Sequence, residues 1–228
     1  RIRREICDRF IDAAEQIGIP RNDDSNGETQ EGVGYFQLTI NRNGTRCSTA
    51  VGFLRPALKR VNLEAMTNAL VHRIEFENGR AVGVTVSIKG QQQFIRCNKE
   101  VVLSAGAINS PQILMLSGVG DKEELAQHNI PVVHHSPGVG KNLQDHLQIR
   151  TIYKVNKPIT LNDEVNNPIR KMMMGIEYAL FRTGPLTMAA SQVCIFTKTD
   201  QSMTRPDIQY HLQPLSADKP ADGTHRFS

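Results

Sequence analysis

The stretch that decides the fold is K-E-V-V-L-S-A-G-A-I-N-S-P-Q-I-L-M-L-S-G-V-G, which runs from Lys99 to Gly120. Its wholly apolar segment Val101-Val102-Leu103 predicts a short, buried strand in a parallel sheet that is covered on both faces. The small residues Ser104-Ala105-Gly106 come next and predict a turn whose backbone can approach a bulky group closely. The carboxyl end of such a strand is a common position for a ligand.

A helix is predicted directly after this turn. Asn109 or Ser110 is suited to be its N-cap, and Pro111 to be its first helical residue. Its aliphatic side chains are expected to face a core: Ile113, Leu114 and Leu116. The segment Ser117-Gly118-Val119-Gly120 then ends the helix with the conformational freedom of glycine. From these features alone, a strand, a tight turn and a capped helix of any α/β protein also remain open.

The order of residues narrows this choice. The segment G-A-I-N-S-P-Q-I-L-M-L-S-G-V-G, from Gly106 to Gly120, resembles the second signature of the glucose-methanol-choline (GMC) oxidoreductases, a family of FAD-dependent alcohol oxidases and dehydrogenases. Two further segments carry the same resemblance. Residues 44–56 match the pattern G-x-R-x-S-x-x-x-x-x-L-x-P, and residues 138–146, G-V-G-K-N-L-Q-D-H, match G-x-G-x-N-L-x-D-H.

The resemblance implies a mixed fold of the α/β class with α+β character. Residues 1–148 are expected to form part of an FAD-binding, Rossmann-like domain, and residues 149–228 the start of a substrate domain built on an antiparallel sheet. No G-x-G-x-x-G motif occurs in the sequence. Family members carry that loop near the N-terminus, so we interpret the chain, which does not begin with Met, as an internal fragment.

The cofactor implied by the resemblance is FAD. In this family a backbone amide and carbonyl at the position of Val71 hold the adenine ring, and the turn at Ser104, Ala105 and Gly106 closes over the adenosine half. From the pattern alone, Val71 would be an ordinary core residue of a strand. The catalytic histidine of the family lies downstream of Ser228, so no catalytic residue is assigned within the chain.

Other elements follow from hydrophobic periodicity and turn residues. An Asn78-Gly79 pair between alternating apolar residues predicts a β-meander. Its strands are expected at 69–76, 81–88 and 93–97. Helices are expected at 4–18, 121–128 and 172–182. The remaining strands are expected at 35–40, 130–133, 150–155, 192–196 and 207–213, and a polar surface loop at 21–34.

Composition excludes several classes of function. The net charge of the 228 residues is +4 and the charges are scattered, so nothing demands a nucleic-acid partner. The four cysteines lie far apart and match no zinc or redox spacing, which predicts free thiols. Asp145-His146 could suggest a catalytic dyad or a metal site, but further ligands are absent. Met172-Met173-Met174 is interpreted as core filler rather than a soft-metal site.

The resulting functional prediction is an FAD-dependent oxidoreductase that acts on the CH–OH group of a small-molecule alcohol, with hydride transfer from carbon to flavin. The electron acceptor is not indicated, and no metal is expected. The alternative is a truncated, non-catalytic paralogue that keeps the fold as a binding or structural module. An NAD-dependent dehydrogenase is disfavoured because nothing in the sequence reads a nicotinamide. A cytoplasmic or membrane-peripheral location is favoured.

Overall fold

The computed structural model describes residues 2–218 and 226–227. Its helices and strands are, in chain order, α1 (Glu5–Gln16), β1 (Gly32–Tyr35), a π-helical turn (Ala50–Leu54), α2 (Arg55–Ala57), β2 (Ala69–Glu77), β3 (Arg80–Ile88), β4 (Gln91–Arg96), α3 (Gly106–Leu116), β5 (Val119–Gly120), α4 (Lys122–Gln127), β6 (His134–His135), α5 (Asn162–Val165), α6 (Pro168–Phe181), a 3₁₀ turn (Pro185–Thr187), β7 (Val193–Thr197), β8 (Ile208–Leu212), β9 (Ala217–Asp218) and β10 (Arg226–Phe227). The mixed α/β class with antiparallel sheets is confirmed.

The chain divides into two compact units, Arg1–Lys59 together with Arg150–Ser228, and Arg60–Ile149. In the first unit, β1 pairs with β7 and β7 with β8, all antiparallel. A strand from the predicted first domain therefore shares a sheet with strands from the predicted second. The assignment of residues 1–148 and 149–228 to FAD and substrate domains stays a prediction, and part of the second range, 219–225 and 228, lies outside the described residues.

The core of the first unit lies between α1 and the sheet. Helical spacing puts Cys7, Ile11 and Ala14 on one buried face, and this face packs against Val33 of β1 and against β7. Burial of each large aliphatic side chain contributes about 1.5–3 kcal/mol. The predicted helix is confirmed, and Gly18, with φ +90°, follows its end.

The second unit is built on the predicted β-meander of β2, β3 and β4, which is confirmed. Its two hairpins turn through Asn78-Gly79 and Lys89-Gly90, and all four residues have positive φ, as a two-residue type I′ turn requires. β4 begins at Gln91, two residues before the predicted start. Among the strands that the structure describes, β2 and β4 are the edges of this sheet.

Helix α3 differs from the prediction at its start. It begins at Gly106 rather than after Asn109 or Ser110, and Pro111 lies inside it. The Oγ of Ser110 instead accepts a hydrogen bond from the Ala105 N–H at 3.0 Å, which closes the first turn. Pro111 is the sixth residue of α3 and has no N–H to donate to the Ala107 carbonyl, so the helix continues through it with one backbone hydrogen bond missing. The predicted end at Ser117-Gly118 is confirmed, with Gly118 at φ +83°.

Three predicted strands are wrong or displaced. Residues 101–103 and 150–155 are in no strand, and Val102 is 78% exposed. A strand needs a hydrogen-bonded neighbour, and no described strand pairs with either segment. The strand expected at 130–133 begins instead at His134, where β6 pairs in parallel with β5.

Smaller corrections concern β1 and exposed apolar side chains. β1 covers Gly32–Tyr35, earlier than the expected 35–40, because its pairing with β7 ends at Tyr35. Leu116 is 48% exposed, and Met172 and Met173 are 60% and 61% exposed, so the interpretation of these side chains as core is wrong. All four cysteines are free, as predicted. Within the described ranges, no helix has the length and apolarity needed to span a membrane.

Candidate cofactor-binding site

The four predicted site residues all lie in the second unit, on two elements that pack together. Val71 is in β2, and the turn at Ser104, Ala105 and Gly106 leads into α3. The C-terminal end of α3 is fixed to β2 because the Ile74 N–H donates a buried hydrogen bond of 2.8 Å to the Ser117 Oγ.

The register of the meander determines which way the Val71 backbone points. Ile88 and Gln91 flank a two-residue turn, so they form a hydrogen-bonded pair. Because these pairs alternate along antiparallel strands, the backbone groups of Val86 face β4. Val71 lies opposite Val86. The N–H and C=O of Val71 therefore point away from β3, out of the free edge of the sheet.

The turn before α3 is open. Ser104, Ala105 and Gly106 are exposed, and Gly106 has φ +91°. A Cβ built on Gly106 would meet no atom within 4 Å, so the small residue is not required by packing inside this chain. The positive φ favours glycine, and the open space leaves the backbone accessible to a ligand. No hydrogen bond joins this turn to Val71 among the described residues, and their convergence on one ligand stays a prediction.

The Asp145-His146 pair has the properties of an exposed loop. The two side chains are 102% and 99% exposed, and 3.8 Å separates the Asp145 Oδ1 from the His146 Nδ1. The Asp145 carboxylate accepts a hydrogen bond from the backbone N–H of His146. Within the described part of the chain, no group of three or more metal-ligating side chains occurs. The absence of a metal from the protein stays a prediction.

One cavity of the first unit was not indicated by the sequence. It has a volume of about 360 Å³, and its lining includes Phe36, Arg42 and Arg182. The Arg182 guanidinium lies 4.8 Å from the centroid of the Tyr178 ring, and Arg182 itself has φ +55°. The residues that line this cavity come from segments far apart in sequence, so no local sequence motif predicts the cavity.

A second feature that was not predicted from the sequence is an irregularity in β2 beside Val71. The register shifts between Val71 and Arg73, and the His72 Nε2 lies 2.7 Å from the Ser87 Oγ. A histidine in an alternating strand pattern is ordinarily a surface residue, and only the pairing of β2 with β3 reveals the shift.

Comparisons with known proteins agree with this architecture. Residues 3–148 match the family described as GMC oxidoreductase. Mitochondrial choline dehydrogenase of Homo sapiens is 45% identical over 205 residues, which are 90% of this chain and 34% of that protein. The oxygen-dependent choline dehydrogenase of Photobacterium profundum is 40% identical over 207 residues, 91% of this chain and 36% of that protein. The chain thus spans about a third of the length of these relatives.

A solved structure supports the same class. An FAD-dependent oxidoreductase from Chaetomium thermophilum superposes with a TM-score of 0.74 and 27% identity, covering 84% of this chain and 34% of that one. The fold is therefore that of a flavoenzyme of mixed α/β architecture. The chain belongs to the GMC oxidoreductase family. FAD, the cofactor implied by the resemblance, is confirmed as the cofactor of this class.

Proposed function

We propose that this chain holds the adenosine half of FAD within an FAD-dependent oxidoreductase that acts on the CH–OH group of a small alcohol. The observation that carries the proposal is the outward orientation of the Val71 N–H and C=O on the free edge of β2. One residue there offers a donor and an acceptor side by side. Adenine offers the complementary pair, a ring nitrogen that accepts and an amino group that donates.

The residues present fit the cofactor. Val71 supplies backbone groups that pair with no other strand among the described residues, and Gly106 supplies an open backbone that a flat ligand can approach. Both contacts use backbone groups and involve no charged side chain, and the adenosine part of FAD is likewise neutral. When bound, FAD supplies a flavin that accepts a hydride from the alcohol carbon. The role of this chain is to bind and orient the cofactor.

The substrate class is proposed from the relatives. Two of them carry the name choline dehydrogenase, and one is described as oxygen-dependent. We propose that the substrate of this protein is also a small, polar alcohol. We further propose that the antiparallel sheet of β1, β7 and β8 forms one wall of the substrate site. The electron acceptor is left open, since the relatives' names differ on this point.

The experiment that tests the proposal is a measurement of flavin content and flavin reduction in the full-length protein. The expected result is one FAD per chain and bleaching of the flavin absorbance when choline or another small alcohol is added without oxygen. Protein that folds without FAD contradicts the proposal. Bound FAD that no alcohol bleaches supports the alternative of a non-catalytic binding module.

A further inference from the structure

The edge strand β2 carries one residue more than its partner. Val71 lies opposite Val86 and Arg73 lies opposite Thr85, which leaves His72 with no counterpart on β3. An extra residue of this kind is a β-bulge, and bulges are frequent beside functional sites because they redirect backbone groups. Since the Val86 backbone faces β4, this bulge interrupts the ladder at a widely spaced position.

The bulge reverses the orientation of every backbone group that precedes it. On its C-terminal side, the Ile74 N–H points away from β3, because it donates to the Ser117 Oγ. In a regular strand, alternation would make His72 and Leu70 the other outward residues, and the Val71 N–H and C=O would pair with β3. The extra residue moves the alternation by one position. Val71 then points outward.

The bulge is held by a side-chain bond between strands. The His72 Nε2 lies 2.7 Å from the Ser87 Oγ, and both residues are half-buried. Ser87 lies opposite Leu70, on the N-terminal side of the bulge. The bond therefore connects the extra residue, His72, to the neighbouring strand β3. It opposes a slip of β2 that would return Val71 to the interior of the sheet.

We propose that His72, fixed by Ser87, is a positioning residue for FAD: it keeps the β2 bulge in the register that presents the Val71 backbone to adenine. This inference rests on the proposed function. His72 acts through the backbone beside it and needs no contact with the cofactor. The proposed adenine contacts are made by backbone groups, whereas the bond between His72 and Ser87 is made by side chains. This bond can therefore be tested by substitution.

The test measures the dissociation constants of FAD and of ADP, which represents the adenosine half, for apoprotein prepared from the full-length protein. His72→Ala and Ser87→Ala are each expected to weaken both ligands roughly three- to tenfold, the range of one net hydrogen bond. The double variant should lose little more than either single variant, because the two side chains act as one unit. His72→Gln, which can still reach Ser87, should restore most of the affinity.

Thr85→Ala is the matched control. The Thr85 hydroxyl bonds to Glu75 across the same two strands, within the stretch from Arg73 to Glu75 that lies between the two register shifts of β2. It should leave the affinities for FAD and ADP unchanged even if it lowers stability. If Thr85→Ala weakens binding as much as Ser87→Ala does, general loosening of the sheet explains the effect and the proposal is overturned.

The remaining outcomes separate this inference from the proposed function. If the wild-type protein binds FAD and ADP, but the His72 and Ser87 variants bind them equally well, the positioning role is wrong and the proposed function stands. If the wild-type protein binds neither ligand, both are wrong. Ser87→Ala is the milder change and keeps the test decisive if His72→Ala does not fold.

Discussion

The Ser117 hydroxyl joins α3 to the meander by accepting a hydrogen bond from the Ile74 N–H at 2.8 Å, while it donates to the Ile113 carbonyl. Ser117 is 6% exposed and Ile74 is also 6% exposed, so water cannot replace the bond. This single side chain serves the free edge of β2 and the end of the helix that begins at the proposed cofactor turn. It therefore ties the two parts of the proposed site to one framework.

Replacement of Ser117 should destabilise the second unit. Ser117→Ala leaves the buried Ile74 N–H without a partner, which costs about 1–3 kcal/mol of unfolding free energy. Urea unfolding followed by circular dichroism measures the change. Ser110→Ala is the control, because its Oγ accepts from the exposed Ala105 N–H and water can take its place. Equal losses in the two variants would contradict the importance of the buried bond.

Gly118 should tolerate no side chain. It has φ +83°, and a Cβ there would lie 2.3 Å from the Pro131 carbonyl oxygen. Gly118→Ala should therefore lower the free energy of unfolding by more than the roughly 1–2 kcal/mol that a left-handed backbone alone costs. Gly90→Ala isolates that backbone cost, because Gly90 has φ +78° with no atom within 4 Å of its Cβ. Thermal unfolding compares the two variants, and a smaller shift for Gly118→Ala than for Gly90→Ala would contradict the packing argument.

The thiols should differ in reactivity. Burial, and secondarily the Asp8 carboxylate, raises the pKa of Cys7 to about 11. At about pH 8, only about one Cys7 thiol in a thousand is then a thiolate, the form that reacts. Cys47 is half-buried and should react with a disulfide reagent much earlier. Mass spectrometry after timed labelling identifies the order, and labelling of Cys7 at the rate of Cys47 would show that α1 does not bury it.

Glu75 should make the meander sensitive to acid. A hydrogen bond from the Thr85 hydroxyl, and then one from Arg73, lowers the pKa of Glu75 below its ordinary value of 4.5. A carboxylate with a lowered folded pKa stabilises the protein above the unfolded pKa, and this contribution is lost as pH falls through the folded pKa. Glu75→Gln should therefore be less stable than wild type at about pH 6, and the gap should narrow at about pH 3. A gap that does not change with pH would contradict this origin.

The sequence correctly predicted those elements that depend on turn and helix preferences of neighbouring residues. Asn78-Gly79 predicted the first hairpin of the meander, and the spacing of apolar residues predicted the helix α1. Both features depend on residues close in sequence, where turn and helix preferences act directly. The mixed fold and the family followed from the segment Gly106–Gly120.

Two of the predictions that failed or were missed concern features that depend on distant partners, whereas the error at the start of α3 was local. Val102 is apolar and β-branched, but a strand forms only beside another strand, and the exposed Val102 has none among the described residues. The bulge at His72 likewise exists only relative to β3, and the side chain that fixes it, Ser87, lies on that second strand. The family resemblance implied a role for the Val71 backbone, but its outward orientation, on which the proposed function rests, follows only from the pairing register.

The most direct test of the proposed function is FAD binding by Val71→Pro in the full-length protein. Proline removes the outward N–H of Val71 without breaking a bond to β3, and an edge strand accommodates it. Ala69→Pro is the matched control, since Ala69 occupies the equivalent outward position opposite Ile88. We predict that Val71→Pro loses most of its bound FAD, whereas Ala69→Pro keeps it. Full FAD content in a folded Val71→Pro protein would contradict the proposed adenine site.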